Sequence, residues 1–166
     1  MNADIQNQIT HLLYQEAYLL DNRKYKEWLE LLADELVYRM PLRITAEGKE
    51  AVDLVDEMTY YEETKKSLTT RVNRLYTNSA WVENPAPRQR HFISNIMIEP
   101  ASEPDEYKAR SYFLMKRSRA SEHETEEIFG ERNDIIRRID GEWKVARRTI
   151  YPDQAVITVM NLSMFL

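Results

Sequence analysis

The sequence predicts an α+β domain, with helices first and a curled antiparallel sheet after them, on three observations. Apolar residues recur at helical spacing early in the chain, the period drops to two from Gln89 onward, and short turn signals separate the four long strand-like runs. A chain of 166 residues has the size of one domain and can bury a real core, so residues 1–166 are expected to form a single domain.

The first helix is expected from about Asp4 to Leu20, because Ile5, Ile9, Leu12, Leu13 and Leu20 fall on one side at 100° per residue. Asn7, His11, Tyr14 and Tyr18 take the opposite side. Glu16 breaks the rule by standing in the middle of the apolar stripe, which predicts a partly buried carboxylate. Asp21-Asn22 ends this helix, and Tyr25 to Leu32 reads as a second, shorter one with Trp28, Leu29 and Leu32 facing inward. Leu36, Tyr38 and Met40 alternate along Glu35 to Met40, and Pro41 is expected to close that run as a short strand near a sheet edge.

Residues 44 to 58 carry no decisive pattern. From about Glu62 to Tyr76 the spacing of Leu68, Val72 and Leu75 is helical, and Pro85 with Pro87 stops regular structure after it. Strands follow at about 89–99, 106–119, 124–139 and 142–151. Pro100 to Pro104, Ala120 to His123 and the hairpin signal Asp140-Gly141 join them, so this part of the sheet is expected to be antiparallel.

The net charge of -5 and a pI near 5.3 argue against a general nucleic-acid binder. The charge is uneven: residues 1–70 hold 14 acids against 8 Lys plus Arg, while residues 71–166 hold 14 against 15. With no cysteine, the chain cannot form disulfides, thiolate zinc sites or a Rieske centre. The opening MNADIQNQIT lacks the basic start and apolar run of a signal peptide, which predicts a cytoplasmic protein. The uncharged stretch from Gln154 to Leu166 is too short and too polar to cross a bilayer, so no membrane span is expected.

Three histidines, at 11, 91 and 123, are the available nitrogen ligands for a non-haem iron site, and no pair has ligand-like spacing, so no metal site is expected. His91 has no orienting acid or nucleophile in view along the sequence. Glu16 allows two readings. It is expected to form a buried ion pair with one of Arg132, Arg137, Arg138, Arg147 and Arg148, with Asp134 and Glu131 serving the remaining guanidinium groups. The alternative is a pocket base, since desolvation raises a carboxyl pKa. The apolar density from Val156 to Leu166 predicts a buried terminus.

The most loaded segment is RVNRLYTNSAWVENPAPRQRHFISNI, residues 71–96, with four arginines, a histidine, a tyrosine and a tryptophan at one helix-to-strand junction. Its order Arg71-Val72-x-Arg74-Leu75, Ala80-Trp81-x-Glu83-Asn84-Pro85, Arg88-x-Arg90-His91 and Ser94-Asn95 resembles the small (beta) subunit of the aromatic-ring-hydroxylating, Rieske non-haem iron dioxygenases. Further matches are Glu16-Ala17-x-Leu19-Leu20-Asp21 with Trp28, Met40-Pro41-Leu42-Arg43, Arg147-Arg148-Thr149-Ile150 and Asn161-Leu162-Ser163-Met164-Phe165-Leu166.

That resemblance implies the cone-shaped nuclear transport factor 2-like, or cystatin-like, fold. It implies a noncatalytic structural subunit of an enzyme that dihydroxylates an aromatic ring with O₂ to a cis-dihydrodiol in aromatic-compound catabolism. It also implies self-association as a trimer beneath three alpha (large) subunits, which hold the iron and the Rieske 2Fe–2S cluster, with no cofactor in this chain. On that reading Arg71, Arg74, Trp81, Arg88, Arg90 and His91 are the expected subunit contacts. The alternative is a stand-alone dehydratase or isomerase of the same cone fold, with Glu16 or His91 as general base.

Overall fold

The computed structural model describes residues 2–43, 54–77, 85–120, 122–154 and 165–166. Helix α1 (Ala3–Asp21) begins at Asn2, whose side chain accepts from the Asp4 amide at 3.0 Å and so occupies one of the free donors of the first turn. Its inward face buries Ile9, Leu12, Leu13, Leu19 and Leu20, and Glu16 lies buried among them. Helix α2 (Tyr25–Glu30) is shorter than the expected element and buries Trp28. Leu32, expected at its end, opens the next strand instead.

Strand β1 (Leu32–Arg43) is longer than its expected stretch and is followed by β2 (Leu54–Glu63), which begins in the stretch that showed no decisive pattern and runs on to Glu62 and Glu63, where the helix was expected to start. Helix α3 (Lys65–Leu75) starts at a capping box, in which Thr64 and Ser67 each accept from the other's backbone N–H, and it buries Leu68 and Val72. The four late strands follow: β3 (Arg88–Pro100), β4 (Glu106–Ser118), β5 (Thr125–Ile139) and β6 (Glu142–Pro152). Asp140 and Gly141 both have positive φ, at 51° and 86°, and link paired Ile139 and Glu142 as a two-residue hairpin.

The sheet order is β2-β1-β6-β5-β4-β3. Its pairs are antiparallel except β1 with β6, which run parallel. The early strand does lie near an edge, second in the sheet and paired on both sides, but one expectation for it is corrected: Pro41 does not close it. The parallel ladder to β6 reaches only Arg39, and Pro41 stands between two register shifts against β2, where its missing N–H does not interrupt a regular ladder.

A second irregularity decides what faces inward on β6. Opposite Ile135 and Ile136 of β5 lie Arg147 and Val145, which leaves Ala146 as an extra residue. The bulge reverses the alternation, so Val145 before it and Arg148 and Ile150 after it are all fully buried. In β3 another shift, between Ser94 and Met97 with Asn95 at φ 52°, bends the strand that α1 packs against. Ile9, Leu13, Trp28, Leu36, Met40, Leu68, Met115, Ile128, Ile136 and Ile150 form the core between helices and sheet. Each such side chain stabilises the fold by about 1.5–3 kcal/mol.

Candidate functional site

Charges lie beneath the helices. From the apolar face of α1, Glu16 accepts two hydrogen bonds from Arg148 of β6, Oε1 from Nη1 at 2.7 Å and Oε2 from Nη2 at 2.8 Å. The other edge of the same guanidinium donates from Nε and Nη2 to the two carboxylate oxygens of Asp134 on β5, both at 2.8 Å. Asp134 faces Arg148 across the β5–β6 ladder, so sheet register alone presents that pair. Trp28 of α2 donates its indole N–H to Glu16 Oε1 at 3.0 Å, and Arg132 Nη1 stands 3.6 Å from Oε2.

Two carboxylates and two guanidinium groups thus share one buried volume with no net charge, the condition under which ions persist in a core. Burial pushes the Glu16 carboxyl up, but the charges of Arg148 and Arg132, with the hydrogen bonds from Arg148 and Trp28, outweigh it and hold the group at about 2. Burial and the like charge of Arg148 lower Arg132, while Asp134 and Glu16 raise Arg148 in spite of its burial.

Among the arginines considered for Glu16, the pair is Arg148, with Arg132 close by. Asp134 serves the same guanidinium, whereas Glu131 accepts from Asn133 instead. Arg137 pairs with Glu35 and Glu106, Arg138 lies over the Trp143 ring, and Arg147 is exposed.

His91 of β3 corrects a second reading, because it does have an orienting acid. Asp21, at the end of α1, meets ring Nδ1 at 2.6 Å and accepts from the His91 backbone N–H at 3.1 Å. Ring Nε2 donates to the Phe165 carbonyl at 2.8 Å, since a carbonyl oxygen can only accept. Asp21 and His91 are 70 residues apart, and nothing local in the sequence links them.

The chain tip is the third part. Phe165 and Leu166 are buried; the Leu166 N–H donates to the Tyr38 hydroxyl at 2.7 Å, and its carbonyl accepts from that hydroxyl and from Arg148 Nη1 at 3.1 Å. The Phe165 ring lies 4.6 Å from Trp28 and 5.6 Å from Tyr25, with the Arg71 guanidinium 4.9 Å from its centre. The rest of the terminus expected to be buried, residues 156–164, lies outside the described residues.

The described residues among the six expected contacts do not share one surface. Arg88 and Arg90 are exposed on the outer face of β3 with Phe92, while Gln89 and His91 turn inward. Arg88, Arg90, Phe92 and Lys116 line a shallow groove on that outer face. Arg74 is exposed on α3, whereas Arg71 is half-buried, bonded to Glu63 at 3.0 Å and laid over Phe165. Trp81 lies outside the described residues. Among the described residues no group of three or more His, Cys, Asp or Glu is placed to hold a metal ion, and no helix is long and apolar enough to cross a membrane.

A long curled sheet packed against three helices is the α+β cone of nuclear transport factor 2-like and cystatin-like domains. A solved protein with a cystatin-like fold from Nostoc punctiforme shares it at TM-score 0.60 over 96% of this chain and 98% of that one, with 17% identity, which shows the fold alone. Within that class, the chain belongs to the ring hydroxylating beta subunit family, whose sequence profile it matches over residues 15–159.

It is 36% identical to the biphenyl 2,3-dioxygenase subunit beta of Rhodococcus jostii, over 99% of this chain and 90% of that protein. It is 35% identical to a benzene 1,2-dioxygenase subunit beta of Pseudomonas putida, over 98% and 89%. A solved naphthalene 1,2-dioxygenase with indole bound in its active site matches at TM-score 0.88 and 25% identity, covering 100% of this chain and 88% of that one.

Proposed function

We propose that this chain is the structural, noncatalytic small subunit of a dioxygenase that adds both atoms of O₂ to an aromatic ring, giving a cis-dihydrodiol in aromatic-compound catabolism. The large subunit holds the iron and the Rieske cluster, and this chain, as a cytoplasmic trimer, holds three large subunits in a hexamer. The observation that carries the noncatalytic part is the state of the interior. Glu16 is bonded on both oxygens by Arg148 and held at about 2, too weak a base for proton abstraction near neutral pH. Both ring nitrogens of His91 are engaged by Asp21 and Phe165. The family match over residues 15–159 supports the rest.

Of the six expected contacts, Arg74, Arg88, Arg90 and Trp81 are proposed to meet other subunits directly, since the three that are described are exposed. Arg71 and His91 support the contact surface from inside, where they hold α3 and β3 to the chain tip. Co-expression with a candidate large subunit, followed by light scattering on the eluted complex and an iron assay, tests the proposal. A stable hexamer with iron only in the presence of the large subunit is expected. Arg88→Glu with Arg90→Glu should weaken that hexamer at least tenfold while the chain stays folded, as reversal of anchoring charges does at interfaces. Tightly held iron or ring oxygenation by the pure chain overturns the reading.

A further inference from the structure

The outer face of the sheet, opposite the helices, is not the polar surface that strand alternation usually leaves toward water. Phe92, Met97, Tyr112 and Phe129 all stand exposed on it. Register makes them contiguous: Phe92 faces Leu114 and Leu114 faces Phe129, so three adjacent strands carry one apolar row, with Tyr112 beside it and Met97 beyond the β3 bulge. An apolar band of this kind marks a surface that another protein covers.

The border of the band is cationic. Arg88, Arg90 and Lys116 flank it on one side and Lys108, Arg110 and Arg147 on the other, against Glu99, Glu127 and Glu131. Among the described residues Lys108, Arg110 and Arg147 form no ion pair; Arg110 donates to the Met97 sulfur at 3.0 Å. With Asn133 and Thr149 they line a groove of about 360 Å³.

The opposite sign lies at the corner of α2 and β1. From Glu27 to Tyr38 the chain carries Glu27, Glu30, Asp34 and Glu35, all exposed, and no Lys or Arg. Lys65 answers Asp34 and Arg137 answers Glu35, but Glu27 and Glu30 form no ion pair among the described residues. Lys24 and Lys26, just before them, lie over the rings of Tyr18 and Tyr76. Two outer faces set against each other would oppose like charges, so a two-fold contact through this face is disfavoured. A cationic face and an acidic corner on one chain fit a head-to-tail contact, the kind that closes into a ring.

We propose that the aromatic, cationic outer face of one copy seats the acidic α2–β1 corner of the next copy, and that three such contacts close the trimer. The inference rests on the trimer reading above and names the two surfaces that build it. Aromatic side chains anchor the contact, and the charges around them fix its direction.

Sedimentation velocity on the full chain, alone and co-expressed with a large subunit, tests it. Arg110→Glu with Arg147→Glu, and separately Glu27→Lys with Glu30→Lys, should each weaken the trimer at least tenfold. All four side chains are exposed, so circular dichroism should not change. The four changes in one chain should restore the trimer to within about threefold of wild type, because each reversed charge then meets its reversed partner. A trimer indifferent to either pair, no restoration by the four together, or a two-fold dimer overturns the proposal. If the arginine pair leaves the trimer intact and releases the large subunit, the face belongs to that subunit; the proposal falls and the structural-subunit reading stands. A wild-type chain that forms neither trimer nor hexamer overturns both.

Discussion

Replacing Glu16 with Gln keeps the size of the side chain and removes its charge. In the native cluster this leaves Arg148 and Arg132 with one buried carboxylate, Asp134, to balance two guanidinium groups. The cost follows from the carboxyl itself. Its pKa falls from 4.5 to about 2 on folding, worth roughly 3 kcal/mol of stability at neutral pH. That agrees with the 3–5 kcal/mol typical of breaking a buried ion pair from one side. Since the folded carboxyl binds a proton more weakly than the unfolded one, this contribution is complete above about pH 4.5 and is lost as pH falls through about 2. Urea unfolding followed by tryptophan fluorescence, at one fixed protein concentration, measures both chains from pH 7 to pH 2.5. Glu16→Gln should be less stable by roughly 3 kcal/mol at pH 7, and the gap should narrow in acid as Glu16 of the unfolded wild-type chain takes up a proton that the folded chain still refuses. A gap below about 1 kcal/mol at pH 7, the scale of one ordinary hydrogen bond, or a gap that stays constant into acid, would refute the reasoning.

Two glycines separate crowding from backbone strain. A methyl group on Gly130 would sit 2.0 Å from the Tyr151 carbonyl oxygen and 2.9 Å from Pro152 Cα, so Gly130→Ala must push β6 away from β5. A loss of about 3 kcal/mol or failure to fold is expected by thermal denaturation, and an unchanged Tm would contradict it. At Gly141 nothing lies within 4 Å of the added methyl, but φ is +86°, so Gly141→Ala should lose only about 1 kcal/mol through strain in the hairpin.

Helix α1, helix α3 and the four late strands were legible because their signals are local: a 100° stripe, a helical spacing, and turn residues at Pro100, Asp140 and Gly141. Glu16 was legible as a misfit on its own stripe, and a misfit of that kind asks for a partner. Which arginine answers was not legible, because the Ala146 bulge sets the parity of β6. A trace of that bulge does exist in the sequence. Val145 and Ile150 are five residues apart and cannot share a face of a regular strand, so an extra residue must fall between them if both belong to one core, as they do. The internal place of β1 and its parallel partner depend on residues about a hundred positions away, beyond the reach of periodicity. A separation of 70 residues likewise hid Asp21 from His91.

The single parallel seam also sets an order of events during synthesis. Leu32 can find its neighbour only once Val145 has emerged, by which time β3, β4 and β5, which precede it in the chain, can already pair as successive hairpins. Until then β1 has only β2 beside it, joined along Tyr38 to Arg43, and its other edge stays open. Because loop closure over such a span is entropically costly until the late hairpins provide a surface to dock on, folding is expected to run backward from the C-terminal meander to the N-terminal strand.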